Sequence, residues 1–221
     1  MSASIPVLTL DGPSCAGKGT VSRAIAKRLG WHYLDSGAIY RALAVAVMDR
    51  GVSPDDVERI VAIAQAMDLA FQANETPRVI LDGCDISERI QTESCGNTAS
   101  KIAALGPVRQ ALLEKQRGFR RSPGLVADGR DMGTVVFPDA PYKVFLTASA
   151  EERALRRYKQ LKEKGNDVSL SALTKEIEER DRRDQERSVA PLRRAEHAVL
   201  VDSSHLSIEE VIVQCLALID R

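Results

Sequence analysis

Short apolar runs alternate with longer stretches of helical periodicity along most of the chain. Residues 7–10, 31–34, 125–127, 142–146 and 198–201 are brief and mostly apolar and read as buried strands. The helical patterns between them begin at about Gly17, Ala38, Pro107, Ser149 and Ser207. Strand–helix alternation of this kind predicts an α/β fold: a parallel five-stranded sheet wrapped by helices. Three of the strands end in or run into an aspartate (Asp11, Asp35, Asp128) and a fourth is followed by Asp202. Polar groups therefore collect at the carboxyl edge of the sheet, where ligands bind in open parallel sheets.

One segment breaks the alternation. Residues 68–72, 78–81 and 84–86 read as short strands separated by the turns Asn74-Glu75-Thr76-Pro77 and Asp82-Gly83, so a small β-containing subdomain is expected at about 55–105. From 151 to 194 the chain is densely charged, with ten charged residues among the twelve of 176–187. Such a run is most often a solvated helix. The expected organisation is a single domain, with a core of residues 1–54, 106–150 and 190–221, the insert, and a lid with recognition helices at about 151–189.

Composition narrows the function classes. Lys plus Arg and Asp plus Glu number 31 each, so no global field draws the chain to nucleic acid or to an acidic membrane. No apolar run approaches the 18 residues a membrane span needs. Four scattered cysteines (Cys15, Cys84, Cys95, Cys215) suggest neither a disulfide framework nor a zinc site. Reduced thiols and a cytoplasmic location are expected, with a monomer as the expected state.

The most specific chemistry lies after the first strand. Gly12-Pro13-Ser14-Cys15-Ala16-Gly17-Lys18-Gly19-Thr20 is a glycine-rich loop between a strand and a helix, the setting in which backbone N–H groups and a helix N-terminus cradle phosphate. In that motif Lys18 bridges the β- and γ-phosphates of ATP and a following hydroxyl, here Thr20, ligates Mg²⁺ through phosphates and water. The pattern arises by chance about once in several thousand chains of this length.

The Gly-Lys-Gly-Thr ending is the form of the nucleoside monophosphate kinases. Further stretches extend the likeness: Leu34-Asp35-Ser36-Gly37-Ala38-Ile39-Tyr40-Arg41, Ala127-Asp128-Gly129-Arg130-Asp131-Met132-Gly133-Thr134, and Glu179-Arg180-Asp181-Arg182-Arg183-Asp184 continuing to Arg187-Ser188-Val189-Ala190-Pro191. Over essentially its whole length the chain resembles the bacterial cytidylate kinases. The resemblance implies phosphoryl transfer from ATP·Mg²⁺ to CMP or dCMP, with a P-loop fold, a monophosphate-binding insert and a short lid. The chain departs at Cys15, where the family usually carries Gly, Ala or Ser.

The resemblance also assigns residues. Arg41, Arg109 and Arg130 fall in segments lining the monophosphate pocket, with Asp131 in the same motif as Arg130. Arginine suits the task, because its planar fork grips phosphate bidentately and an acceptor that already bears a dianion needs cations rather than a base. Asp128 has the position of the carboxylate that orients magnesium's water shell; a helix N-cap or turn role is the competing reading. Asp35 could equally serve structure. Arg180, Asp184 and Arg187, at i, i+4 and i+7, share a helical face. The family places the first two against cytosine and ribose with Ser36 and Ser100 nearby, and a lattice of surface ion pairs is the alternative. Arg153, Arg156 and Arg157 resemble the lid cations that close over ATP; spacing does not choose among the three, and Arg157 is taken as the ATP contact.

Other classes fit poorly. A GTP-dependent switch needs Asp-x-x-Gly and Asn-Lys-x-Asp, and neither occurs. An RNA-binding arginine stretch lacks interleaved aromatics. The remaining alternative is a P-loop kinase for another small acceptor such as UMP or AMP.

Overall fold

The computed structural model describes residues 5–72, 78–163 and 165–219, with the Gln72 side chain excepted. The expected turn at Asn74-Glu75-Thr76-Pro77 lies outside the described residues. In chain order the first elements are β1 (Val7–Asp11), α1 (Lys18–Leu29), β2 (His32–Asp35), α2 (Ser36–Asp49) and α3 (Val57–Ala66). Then follow β3 (Leu69–Gln72), β4 (Arg78–Leu81), β5 (Cys84–Asp85), α4 (Glu93–Ile102) and α5 (Gly106–Arg117). The last are β6 (Leu125–Gly129), β7 (Tyr142–Thr147), α6 (Ala150–Glu163), α7 (Leu170–Glu186), β8 (Val199–Asp202) and α8 (Ile208–Leu216). The chain forms two compact units, one made of everything up to Leu34 and from Gly118 onward, the other of Asp35–Arg117.

The first unit holds a five-stranded sheet in the order β2-β6-β1-β7-β8. β1 pairs in parallel with β6 and β7, and β7 with β8. All five β1 residues are buried, as a central strand covered on both faces requires. Leu8 and Leu10 pack in one apolar cluster with Val21 and Ile25 of α1, Val144 and Leu146 of β7, and Val211, Ile212 and Cys215 of α8. Truncating one of these buried leucines to alanine costs about 2–5 kcal/mol. The register sets Leu10 beside Asp128 and Asp11 beside Gly129, so both aspartates lie at the sheet's carboxyl edge. The highly charged segment is solvated on one side only. Leu173, Ile177 and Asp184 of α7 are buried at helical spacing, and α7 packs against α6.

The second unit is a helical layer with a three-stranded antiparallel sheet, β3-β4-β5. Its boundaries are wider than the segment expected at 55–105. α2 is apolar nearly all round, burying Ile39, Leu43, Val45 and Val47 among others, and packs against α3 and α4, while α5 packs against α3. Those helical contacts group α2 and α5 with the hairpins. The Asp82-Gly83 turn has positive φ at both residues, 49° and 81°, the backbone of a type I′ hairpin turn.

Candidate active site

The loop between β1 and α1 takes its shape from backbone conformations that few residues adopt. Gly12 has φ 150°, and a Cβ there would lie 1.9 Å from the carbonyl oxygen of Leu146. Only glycine lets the chain leave β1 so close to β7. Cys15 takes a left-handed φ of 59° without being glycine, and Gly17 caps α1 at φ 93°. The free N–H groups at the start of α1, with its dipole, face the loop's concavity. Buried Lys18 reaches back across the loop and donates from Nζ to the Pro13 carbonyl at 2.7 Å. Thr20 is exposed on the first turn.

Asp128 lies at the end of β6, within the strand rather than at a helix N-cap, and accepts from the Tyr33 hydroxyl at 2.6 Å. After β6 the chain makes a π-helical turn at Met132–Val136. Buried Asp11 holds the start of this turn by accepting from the Met132 and Gly133 amides, both at 2.8 Å. Burial outweighs those two bonds and pushes the Asp11 carboxyl up to about 6. Arg130 lies between β6 and this turn, and its Nε donates to Asp184 of α7 at 2.9 Å. Asp131 is buried at 3.9 Å from the Arg187 guanidinium.

These groups share one electrostatic environment. Burial and then repulsion from Arg130 bring Lys18 down to about 7; Arg180 adds to the lowering and Asp128 opposes it. Burial alone would lift Asp184, but the charges of Arg130, Arg180 and Arg187 hold it below the usual carboxylate range. Burial likewise works against Arg130, and Asp184 overcomes it, leaving that guanidinium above its ordinary value. The first unit thus brings together Lys18, Asp128, Arg130, Arg180 and Asp184, and it holds Asp131 and Arg187.

The arginines that open α6 differ in use. Buried Arg153 donates to the Ala148 carbonyl at 3.0 Å, to the Ser14 carbonyl of the loop at 3.2 Å and to Asp181 at 2.5 Å. Arg156 bonds the Ser203 hydroxyl and carbonyl. Arg157 bonds Gln160 one turn along the helix at 2.8 Å.

In the second unit Arg41 donates to the Ile90 carbonyl at 2.8 Å, and buried Arg109 donates to the Ala103 carbonyl at 3.0 Å. The Arg109 guanidinium also stacks 5.5 Å from the Tyr40 ring centroid. The Ser36 hydroxyl donates to Gln116 at 2.7 Å. The Ser100 hydroxyl is buried on α4 with no hydrogen-bond partner. Asp35 caps α2 by accepting from Ala38 N at 2.9 Å, a structural role.

The family model described as Cytidylate kinase matches residues 8–221 of this chain. A cytidylate kinase from Methylococcus capsulatus is 69% identical, covering 99% of this chain and 99% of its own. One from Edwardsiella ictaluri is 59% identical over 98% and 97%, and one from Nitrosococcus oceani 56% identical over 98% and 96%. The chain belongs to the cytidylate kinase family.

Within that family frame, reading the sequence located the motif residues but passed over two that the fold places beside them. Asp11 carried a signal, as an aspartate ending a strand just before the loop. Tyr33 carried none, because its proximity to Asp128 depends on β2 and β6 being neighbours in the sheet.

Proposed function

We propose that this chain transfers the γ-phosphoryl group of ATP to CMP or dCMP, giving ADP and CDP or dCDP. The observation that carries the proposal is the loop itself: Gly12 packs against the Leu146 carbonyl, and buried Lys18 reaches back across the loop to Pro13, its pKa lowered first by burial and then by the charge of Arg130. An anion held beside Lys18 offsets both the burial and the repulsion and favours the charged lysine, so the site's electrostatics favour a phosphate.

The bond between the γ-phosphorus and the β–γ bridging oxygen breaks, and a bond forms from the same phosphorus to an oxygen of the acceptor's phosphate. The displaced bridging oxygen leaves on ADP. The loop from Gly12 to Thr20 holds the donor's phosphates through its amides, and Lys18 follows the charge on the transferring group. Arg130, Arg41 and Arg109 are each assigned to the acceptor phosphate. Arg157 is assigned to ATP.

Thr20 and Asp128 present hard oxygen donors, and no group of three His, Cys, Asp or Glu among the described residues is built to cage an ion. That set suits Mg²⁺, which takes few protein ligands and keeps phosphate oxygens and water. When bound, the ion draws charge from the bridging and terminal phosphate oxygens.

Recognition of the base is assigned to Arg180 and Asp184, with Arg187, Asp131, Ser36 and Ser100 in support. A carboxylate has about four acceptor positions, so Asp184 can hold Arg130 and still accept from the cytosine amino group. Uracil offers a carbonyl there, and acceptor would meet acceptor. The test is a panel of CMP, dCMP, UMP, AMP and GMP with ATP·Mg²⁺, following ADP release. CMP and dCMP should give the highest kcat/KM. Turnover of AMP or GMP without CMP would overturn the reading.

A further inference from the structure

We propose that Tyr33 is a positioning residue for the transfer: its hydroxyl fixes the Asp128 carboxylate over the phosphate loop. The proposal rests on the reading that Asp128 serves the magnesium-bound donor.

The Tyr33 hydroxyl donates to Asp128 Oδ2 at 2.6 Å. A short O–H···O⁻ bond of this kind is among the stronger hydrogen bonds in proteins. The terminal torsion of aspartate is broad and roughly two-fold, so a carboxylate at a strand end does not set its own plane. Tyr33 supplies what the torsion lacks. It stands on β2, the strand beside β6, so its backbone is fixed by the same sheet that carries Asp128. Its ring is held in turn by Arg23 of α1, whose guanidinium lies 5.9 Å from the ring centroid.

The pair also lies against the loop. A Cβ built on Gly19 would sit 3.5 Å from the Tyr33 hydroxyl, 3.6 Å from Asp128 Oδ2 and 3.4 Å from an Arg23 nitrogen. A methyl group at the residue between Lys18 and Thr20 would therefore touch the phenol–carboxylate pair. Three elements converge there: β2 gives the donor, β6 the acceptor, and α1 the cation that steadies the ring. Tyrosine at this position acts through Asp128 and touches no reacting atom itself.

Tyr33→Phe removes the hydroxyl and keeps the ring, so folding should survive; its Tm should match the parent's. ATP binding is measured by calorimetry without acceptor, across a Mg²⁺ titration and again in EDTA. For Tyr33→Phe the Mg²⁺ needed for half-maximal strengthening of ATP binding should rise roughly five- to tenfold, the scale of losing one ordinary hydrogen bond that acts through Asp128. Its affinity in EDTA should be unchanged. Asp128→Asn should raise the Mg²⁺ requirement further, and Tyr33→Phe added to Asp128→Asn should change nothing more. A Tyr33→Phe enzyme with the parent's Mg²⁺ dependence, beside an Asp128→Asn enzyme that is shifted, overturns the role of Tyr33 and leaves the phosphoryl-transfer reading standing. Additive effects in the double variant overturn it as well, since Tyr33 would then act without Asp128. An unshifted Asp128→Asn enzyme removes the reading on which the proposal rests.

Discussion

Two arginine–carboxylate pairs in this molecule have similar lengths and opposite surroundings. Arg28, in the last turn of α1, donates twice to Glu209 in the first turn of α8, at 2.9 and 2.6 Å, with side chains 44% and 60% exposed. Arg130 makes a single 2.9 Å contact to Asp184, with side chains 17% and 7% exposed. The first pair has the better geometry, and each member also complements its helix dipole. Water competes for both its partners, so its effect on folding is small. The second pair was drawn out of water at a desolvation cost that hydrophobic residues would not incur. On the proposed function, a largely buried pair with one contact, near a depressed lysine and a loop shaped for phosphate, serves the reaction rather than stability.

Breaking the buried side of this comparison should have the largest effects. Lys18→Ala should leave the fold intact and lower kcat about 10³-fold, the scale of losing a preorganised donor to developing charge. Steady-state turnover beside a far-UV spectrum checks it, and near-parental turnover would remove the loop from the chemistry.

Asp184→Ala leaves Arg130 buried without its partner. It should destabilise the protein by about 3–5 kcal/mol. It should also lower kcat/KM for CMP roughly 10- to 100-fold and narrow the CMP/UMP ratio. Denaturant unfolding reads the first effect and kinetics with both nucleotides the second. A ratio that stays fixed would return Asp184 to a purely structural role.

Asp11 sharpens the comparison through pH. Its carboxyl titrates at about 6 in the folded protein against 3.8 unfolded, so folding favours the protonated form. Ionising it costs nothing below pH 3.8, and the cost grows to about 3 kcal/mol by pH 6 and then stays level. Asp11→Asn loses an acceptor for the Met132 and Gly133 amides at every pH but carries no such titration. The variant should therefore be most destabilised relative to the parent near pH 4, with the gap closing by pH 6.5. Tm measured at both values checks this, and a gap that widens with pH would contradict it.

The exposed pair should give the smallest effect. Arg28→Ala should leave kcat and KM for both substrates unchanged and shift Tm little, with any shift vanishing in high salt.

Neither pair was legible in the sequence, although much of the fold was. All five core strands were readable to within a residue or two, because each is a compact, mostly apolar run between helical patterns, and the Asp82-Gly83 turn has a distinctive chemistry. The width of the second unit was not readable. Nothing local tells α2 to pack on α3 and α4 rather than on the sheet it follows. Among the proposed site residues, Lys18 and Thr20 were singled out from the loop alone, by their spacing between a strand and a helix. The bond from Arg130 to Asp184 spans 54 positions and appears only when α7 folds its buried stripe inward. A pattern of ten charges in twelve residues hides Asp184, the aspartate among them that is buried.

The claim that the Arg130–Asp184 pair is kept for catalysis is tested most directly by replacing both members together, as Arg130→Met with Asp184→Leu, and measuring stability and kcat/KM for CMP on the same preparation. Apolar residues of similar volume avoid the desolvation cost, so the double variant should unfold at or above the parent's denaturant midpoint. Its kcat/KM for CMP should fall by at least about 10²-fold, the scale of losing one charge-stabilising donor. A double variant that unfolds much more readily, or that keeps the parent's activity, would contradict the account.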